Sequence, residues 1–347
     1  MDQFVVRQRV WEVAEACGLC GSTRYEELFS IHQKRYVTCV ECQVTRLCDR
    51  VAADKLNLVY GDYYTSQRTV LSEQELEAQL ANPTFAFRRN RLEAFVPVEQ
   101  RRLFEIGCGD GNFLAYLRNH GWQVQGSEFG QKTFELIKTR HGIEVAVGDF
   151  TTLPIEPESI DVIGSYAVFE HLYGPLDWIR AVRCALKPGG FLHLQLPNFR
   201  CLERYLTKDC WALLCFPEHV YFYSPTNLER LLENEGFRPL SITMYDPWHS
   251  PGTTLASARN FIMRLLTGRL PWSDALDKPS CIDSSNEKVA KAVVSPKKLT
   301  TRLFDTFGRP VATALAHAQG LLGLGNIMDI IARADHCAKM NRTNQGP

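Results

Sequence analysis

The segment best suited to chemistry is Leu103-Phe104-Glu105-Ile106-Gly107-Cys108-Gly109-Asp110-Gly111-Asn112-Phe113. An apolar strand-like run enters three glycines at alternate positions and leaves into a helix-like run. Glycines in such a turn permit positive φ and close approach of the backbone to a ligand. The spacing differs from the Gly-x-Gly-x-x-Gly turn that cradles a pyrophosphate. Glu105 stands where a carboxylate can meet a cationic group. Glu128 ends the next strand-like run, a place from which an acid accepts hydrogen bonds from ribose hydroxyls. Asp149, in Gly148-Asp149-Phe150, follows the third run and can accept from an adenine amino group, with Phe150 against the ring. Any one acid reads equally well as a helix cap or surface group. Three in register point to a nucleoside ligand.

Two Glu-His pairs follow. Glu170-His171 comes after the fourth strand-like run, on the side of a parallel sheet where ligands sit. Glu218-His219 lies in Pro217-Glu218-His219-Val220-Tyr221-Phe222-Tyr223-Ser224. A histidine at either place can take a proton near neutral pH; the alternative for His219 is a bond to a loop carbonyl. Nearer the N-terminus, Cys17-Gly-Leu-Cys20 and Cys39-Val-Glu-Cys42 form two C-x2-C pairs eighteen residues apart. That spacing suits a four-thiolate zinc site on two knuckles, with zinc supplying folding energy to a module too small for much core. Four unrelated buried cysteines would be the alternative.

These residues carry a resemblance. Residues 101–247 are similar to class I S-adenosylmethionine (SAM)-dependent methyltransferases, in the group that includes ubiquinone-pathway O-methyltransferases. Glu105-Ile-Gly-Cys-Gly-Asp-Gly matches the family's first motif, Glu128 its ribose acid, Gly148-Asp149-Phe150 its adenine motif, and Leu186-Lys187-Pro188-Gly189-Gly190 the turn before its fifth strand. The resemblance implies SAM as cofactor, with Glu105, Gly107, Gly109, Gly111, Glu128, Asp149 and Phe150 around it. It also implies a Rossmann-like seven-stranded sheet with helices on both faces and the last strand antiparallel. The second Glu-His stretch resembles nucleotide-sugar C-methyltransferases, in which the pair serves as base machinery; the tyrosine they carry two positions before the Glu is Phe216 here. On that basis His219, His171 and Glu218 are the catalytic candidates, and Cys17, Cys20, Cys39 and Cys42 the structural zinc ligands. Some relatives bind magnesium through Glu-x-x-Glu-His plus a later histidine. Ala167 replaces the first Glu, and the two imidazoles left suit magnesium poorly.

The elements needed to position these groups can be read from periodicity. Strands are expected at 102–106, 123–127, 144–147, 160–164 and 190–195, and helices at 112–120, 130–141, 175–186 and 226–236. Alternation of this kind signals a parallel sheet wrapped by helices. Five segments emerge: a zinc ribbon at 10–50, a linker and helical segment at 51–100 with a capping-box start at Ser72, the SAM-binding core at 101–247, an irregular insertion at 248–300 with a polar loop at 277–291, and a helix plus last strand at 301–335. Tyr63 and Tyr64 are candidates to line the acceptor cavity. Charge is balanced, with 39 basic and 39 acidic residues, so no global field draws nucleic acid. No apolar run reaches the ~18 residues of a membrane span, and the charged N-terminus lacks a secretory core, so a cytoplasmic location is expected. Twelve cysteines in a reducing compartment favour metal over disulfides. The expected activity is methyl transfer to carbon or oxygen of a small sugar-like or secondary-metabolite acceptor. The alternative is an RNA- or DNA-modifying methyltransferase that uses the ribbon for recognition.

Overall fold

The computed structural model describes residues 10–56, 73–271 and 298–335. The expectations placed on Ser72, on Tyr63 and Tyr64, and on the polar stretch 277–291 fall outside these residues.

At the N-terminus, β1 (Trp11–Val13), β2 (Tyr25–Ile31), β3 (Lys34–Cys39), β4 (Thr45–Leu47) and β5 (Asp49–Val51) form the ribbon. β1 pairs with β5, while β2, β3 and β4 form an antiparallel meander. Two helices follow, α1 (Glu73–Leu80) and α2 (Pro83–Glu93). The main sheet contains β6 (Arg102–Ile106), β7 (Gln123–Glu128), β8 (Ala146–Val147), β9 (Ile160–Tyr166) and β10 (Leu186–Pro197). Between these strands run α3 (Asn112–Asn119), α4 (Gln131–His141) and α5 (Pro175–Ala185). The chain continues through α6 (Leu202–Thr207), β11 (Tyr221–Phe222), α7 (Pro225–Asn234), β12 (Phe237–Thr243), α8 (His249–Thr267), α9 (Lys298–Leu321) and β13 (Ile327–Ala334).

Seven strands make the main sheet in the order β12-β13-β10-β9-β6-β7-β8. β13 inserts between β10 and β12 and runs antiparallel to both, whereas β6 through β10 are mutually parallel. This is the Rossmann-like α/β arrangement expected from the motifs. Most boundaries shift by one or two residues, and two strands differ in ways that matter. β8 keeps only two of the four residues expected. β10 begins four residues early, with a register break between Leu186 and Phe191 that absorbs the Pro-Gly-Gly turn.

The expectation of an irregular 248–300 segment is corrected by α8, which occupies 249–267. Pro251 and Gly252 disguise it in the sequence, but proline in a first turn loses only a donor that has no helical partner. The cap comes from outside the helix: the Asp246 carboxylate accepts from the backbone N–H of Trp248 and His249.

α2 starts with Asn82 accepting from Thr84 N–H and with Pro83 in the first turn. It lies on the sheet over polar residues that the parallel strands would not otherwise tolerate. Arg91 Nε meets Asp329 Oδ1 at 2.8 Å, and His193 Nε2 meets Asp329 Oδ2 at 2.8 Å. Tyr166 OH lies 3.0 Å from His193 Nδ1, and Arg88 Nε donates to Gln195 Oε1 at 3.1 Å. Burial alone would raise the Asp329 carboxyl, but His193 and Arg91 outweigh it and hold it below the usual range.

A carboxyl lowered by folding contributes stability above its unfolded pKa of about 4, and that stability is lost as pH falls. Asp329→Ala is expected to cost about 3–5 kcal/mol in urea unfolding, because it leaves Arg91 and His193 buried without their partner. Its stability should also depend less on pH below about 5 than that of the parent chain. A cost under about 1 kcal/mol would show that water replaces the carboxylate.

Candidate functional site

β6 delivers the chain into the glycine turn. Gly107, Gly109 and Gly111 all have positive φ, at 70°, 55° and 74°. At Gly107 a second constraint applies, since a Cβ there would lie 2.5 Å from Val168 Cγ2. The segment after β9 therefore rests directly on the turn, and it carries Glu170 and His171. Gly109 N–H donates to Glu128 Oε2 at 2.8 Å, and Phe129 N–H donates to Glu128 Oε1 at 2.9 Å. Burial raises the Glu128 carboxyl, and the backbone N–H groups of Phe129, Gly109 and Gly130 oppose the rise.

Glu105 is buried, and its Oε2 has no hydrogen-bond partner among the described residues. Burial pushes its carboxyl up to about 8, with Arg88 pulling in the opposite direction. An orphaned buried carboxylate beside an open backbone turn suits the ammonium or sulfonium end of SAM, which carries the charge the pocket lacks. Asp149 is exposed and caps the short turn Phe150–Thr152, its Oδ1 accepting from Thr151 N–H at 2.9 Å. Phe150 is buried and meets Phe104 edge-on, with ring centroids 5.6 Å apart.

Two residues near this turn escaped the motif reading. Arg88 on α2 lies 4.1 Å over the Tyr166 ring and acts electrostatically on Glu105. Phe129 is 64% exposed next to Glu128, an apolar surface beside the ribose-acid position. Its adjacency to Glu128 was the only signal in the sequence.

The second constellation is Glu170, His171 and His219, whose ligand atoms lie within 4.8 Å of one another. His219 Nδ1 lies 2.8 Å from the Leu213 carbonyl and His171 Nδ1 lies 3.1 Å from the Glu218 carbonyl. A carbonyl only accepts, so both rings carry their proton on Nδ1 and keep the Nε2 lone pair. The rings meet edge-to-face at 4.6 Å, and His219 Nε2 is 3.8 Å from Glu170 Oε1. Burial lowers His171 to about 4, and burial together with His171 drives His219 well below its usual value. Burial lifts Glu170 to about 8. At neutral pH the group is two neutral imidazoles and a protonated acid. The carboxyl facing the imidazoles is Glu170, while Glu218 is buried and offers His171 its backbone carbonyl.

The ribbon brings its four paired cysteines together, and none is in a disulfide. Cys17 Sγ to Cys42 Sγ is 3.6 Å and Cys20 Sγ to Cys39 Sγ is 3.5 Å. Four thiolates about 2.3 Å from a tetrahedral zinc lie about 3.8 Å apart, so the donor set and its spacing fit that ion. Contact with Cys42 lowers the Cys17 thiol below its ordinary value, and the same contact raises Cys42. Cys48 is buried outside the group.

This thiol cluster touches the Glu-His constellation through one short strand. β11 pairs with β4 as the fourth strand of the ribbon sheet. Gly18 N–H donates to Tyr221 OH at 3.1 Å, Leu47 N–H to the Val220 carbonyl at 2.8 Å, and Val220 N–H to the Glu170 carbonyl at 2.8 Å. Aromatic rings fill the joint, with Trp11 stacked on Phe216 and Tyr36 tilted against Phe222.

Comparison with known proteins places this geometry. Residues 76–242 match the family described as "Methyltransferase domain". A "probable S-adenosylmethionine-dependent methyltransferase" of Mycolicibacterium smegmatis is 25% identical over 138 residues, 40% of this chain and 52% of that one. The ubiquinone biosynthesis O-methyltransferase of Coxiella burnetii is 25% identical over 176 residues, 47% of this chain and 74% of that one. The chain thus spans about half the length of the first relative and about three quarters of the second. A SAM-dependent methyltransferase structure from Archaeoglobus fulgidus aligns over 76% of this chain and 100% of that one, at 16% identity and a TM-score of 0.43. The sheet order, the glycine turn and the matched residues converge on one conclusion: residues 76–242, just under half of the chain, form a class I SAM-dependent methyltransferase domain.

Proposed function

We propose that the protein transfers a methyl group from SAM to carbon or oxygen of a small-molecule acceptor. The observation that carries this reading is the combination of a buried Glu105 carboxyl whose Oε2 lacks a partner among the described residues, the glycine turn with its anchored Glu128, and the Glu170-His171-His219 group on the segment that rests on that turn. Glu105 takes the cationic end of SAM and Glu128 the ribose hydroxyls, with Asp149 and Phe150 at the adenine end. SAM supplies an activated methyl group with a good leaving group, which leaves alignment and proton removal to the protein.

His219 is the proposed base, with His171 and Glu218 holding it in place. Its Nδ1–H is fixed on Leu213, so Nε2 is the atom that accepts a proton. A base this desolvated needs help to hold a proton. Glu170 Oε1, 3.8 Å away, supplies it in the molecules in which this carboxyl is already ionised, so that the only proton moved is the one passing from the acceptor to His219 Nε2. The position of the pair after β9, resting on the glycine turn through Val168, supports placing the acceptor between it and SAM.

A second reading is favoured by the same group. Histidines whose Nδ1–H groups are anchored on carbonyls while two Nε2 atoms converge with a carboxylate are arranged as metal ligands commonly are. Two imidazoles and one acid suit a transition metal better than magnesium.

The nucleic-acid alternative finds less support. Among the described ribbon residues, Arg24 pairs with Glu41, Arg35 with Asp49 and Arg50 with Glu12, while Arg46 is buried on the Ala14 and Glu15 carbonyls. Those guanidinium groups are committed to the protein itself.

For the ribbon, we propose one structural zinc on Cys17, Cys20, Cys39 and Cys42. Elemental analysis of protein purified without added metal should give one zinc per chain, and Cys39→Ser should lose it with a drop in melting temperature. A metal-free chain with an unchanged melt would contradict the assignment.

Calorimetry and turnover separate the two halves of the catalytic proposal. Gly109→Leu should abolish SAM binding. His219→Ala should bind SAM as the parent does but turn over on the order of 10²-fold more slowly. Wild-type turnover in His219→Ala would place the base elsewhere. Loss of turnover with a mild chelator, restored by manganese while zinc is retained, would favour the metal reading.

A further inference from the structure

We propose that the outer face of α8 and α9 docks on an anionic lipid bilayer. This goes beyond methyl transfer and does not depend on which acceptor is used.

Single exposed apolar residues are ordinary on protein surfaces, but clusters mark interaction sites. Of the seventeen large exposed hydrophobics among the described residues, nine fall between Phe261 and Leu324. Phe261, Ile262, Leu265 and Leu266 recur at the spacing of one helical face. Leu265 and Leu266 are 71% and 76% exposed, and Leu321 and Leu322, where α9 ends, are 77% and 74% exposed. Between the helices lies an apolar cleft of about 390 Å³, bounded by Thr254, Leu255 and Ala258 on one side and Val311, Ala312 and Leu315 on the other.

Charge decides between possible occupants. The chain as a whole is balanced, yet residues 249–271 contain Arg259, Arg264 and Arg269 with no acid, and 308–325 contain Arg309 with no acid. Arg264 is paired with Asp209, but Arg259 and Arg269 have no ion pair among the described residues, and a second copy of the same face would set these arginines against one another. An anionic bilayer offers an apolar interior for the leucines and phosphates for the arginines, whose long stems reach to the headgroups. Among the described residues no helix is long and apolar enough to cross a membrane, so the contact is with the surface.

The test is sedimentation of the full chain with vesicles of phosphatidylcholine alone and of phosphatidylcholine containing a quarter phosphatidylglycerol, at low and high salt. Binding to the anionic vesicles is expected, weakened by salt. It should fall at least about fivefold in Arg269→Glu, the effect of one basic residue near such a surface, and be lost in the double variant Leu265→Asp, Leu266→Asp. Both leucines are mostly exposed, so the double variant should keep its circular dichroism melt; should it fail to fold, Arg269→Glu decides alone. Failure to sediment with anionic vesicles would overturn the proposal. So would variants that bind as the parent does, or a parent dimer that the leucine variant abolishes. None of these outcomes bears on SAM binding, which calorimetry reads separately.

Discussion

The strand Tyr221–Phe222 belongs to two parts of the molecule at once. Its backbone completes the ribbon sheet beside β4, and the residues just before it place His219 against Glu170 and His171. Tyr221 OH receives Gly18 N–H beside the thiol cluster, while Val220 N–H holds the Glu170 carbonyl. The ribbon is therefore a wall of the site. Truncating a buried aromatic at this joint, such as Phe216, would cost about 3–5 kcal/mol and loosen both parts together.

The rest of the site follows from burial working on charge. Glu105 and Glu170 are both lifted to about 8 by desolvation, one beside the glycine turn and one beside the imidazoles. Such carboxyls are costly to keep in a folded protein unless a ligand or a proton transfer uses them. The turn that separates them is only as wide as glycine allows, because Val168 closes on Gly107. Below the turn, Arg88 and Arg91 tie α2 to Gln195 and Asp329, so the helix beside Glu105 is fixed by the centre of the sheet.

Much of this was legible in the sequence. β6, β9 and β10 are buried over most of their length and read as largely apolar runs, and the glycines, Glu128 and the paired cysteines announce themselves by spacing. What was hidden had physical reasons. α8 opens with proline and glycine and takes its cap from Asp246, so its start resembles a loop. Gln195 and Asp329 look out of place in buried strands until α2 supplies Arg88 and Arg91, and His193 until Tyr166 and Asp329 flank it. β11 is two residues long and gains its pairing from a segment about 175 residues earlier, which no local pattern can reveal. For the same reason the sequence favoured Glu218, next to His219 in the chain, over Glu170, which folding brings against both imidazoles.

The central claim is that the ribbon holds the Glu-His segment in place. Amide hydrogen exchange on the full chain, before and after zinc is stripped by a chelator, tests it most directly. The account predicts that Leu47 and residues 218–223 lose protection together, while β6 at the centre of the sheet keeps its own. Protection at 218–223 that survives loss of the ion would contradict it, and the ribbon would then be a module carried beside the site and not a part of it.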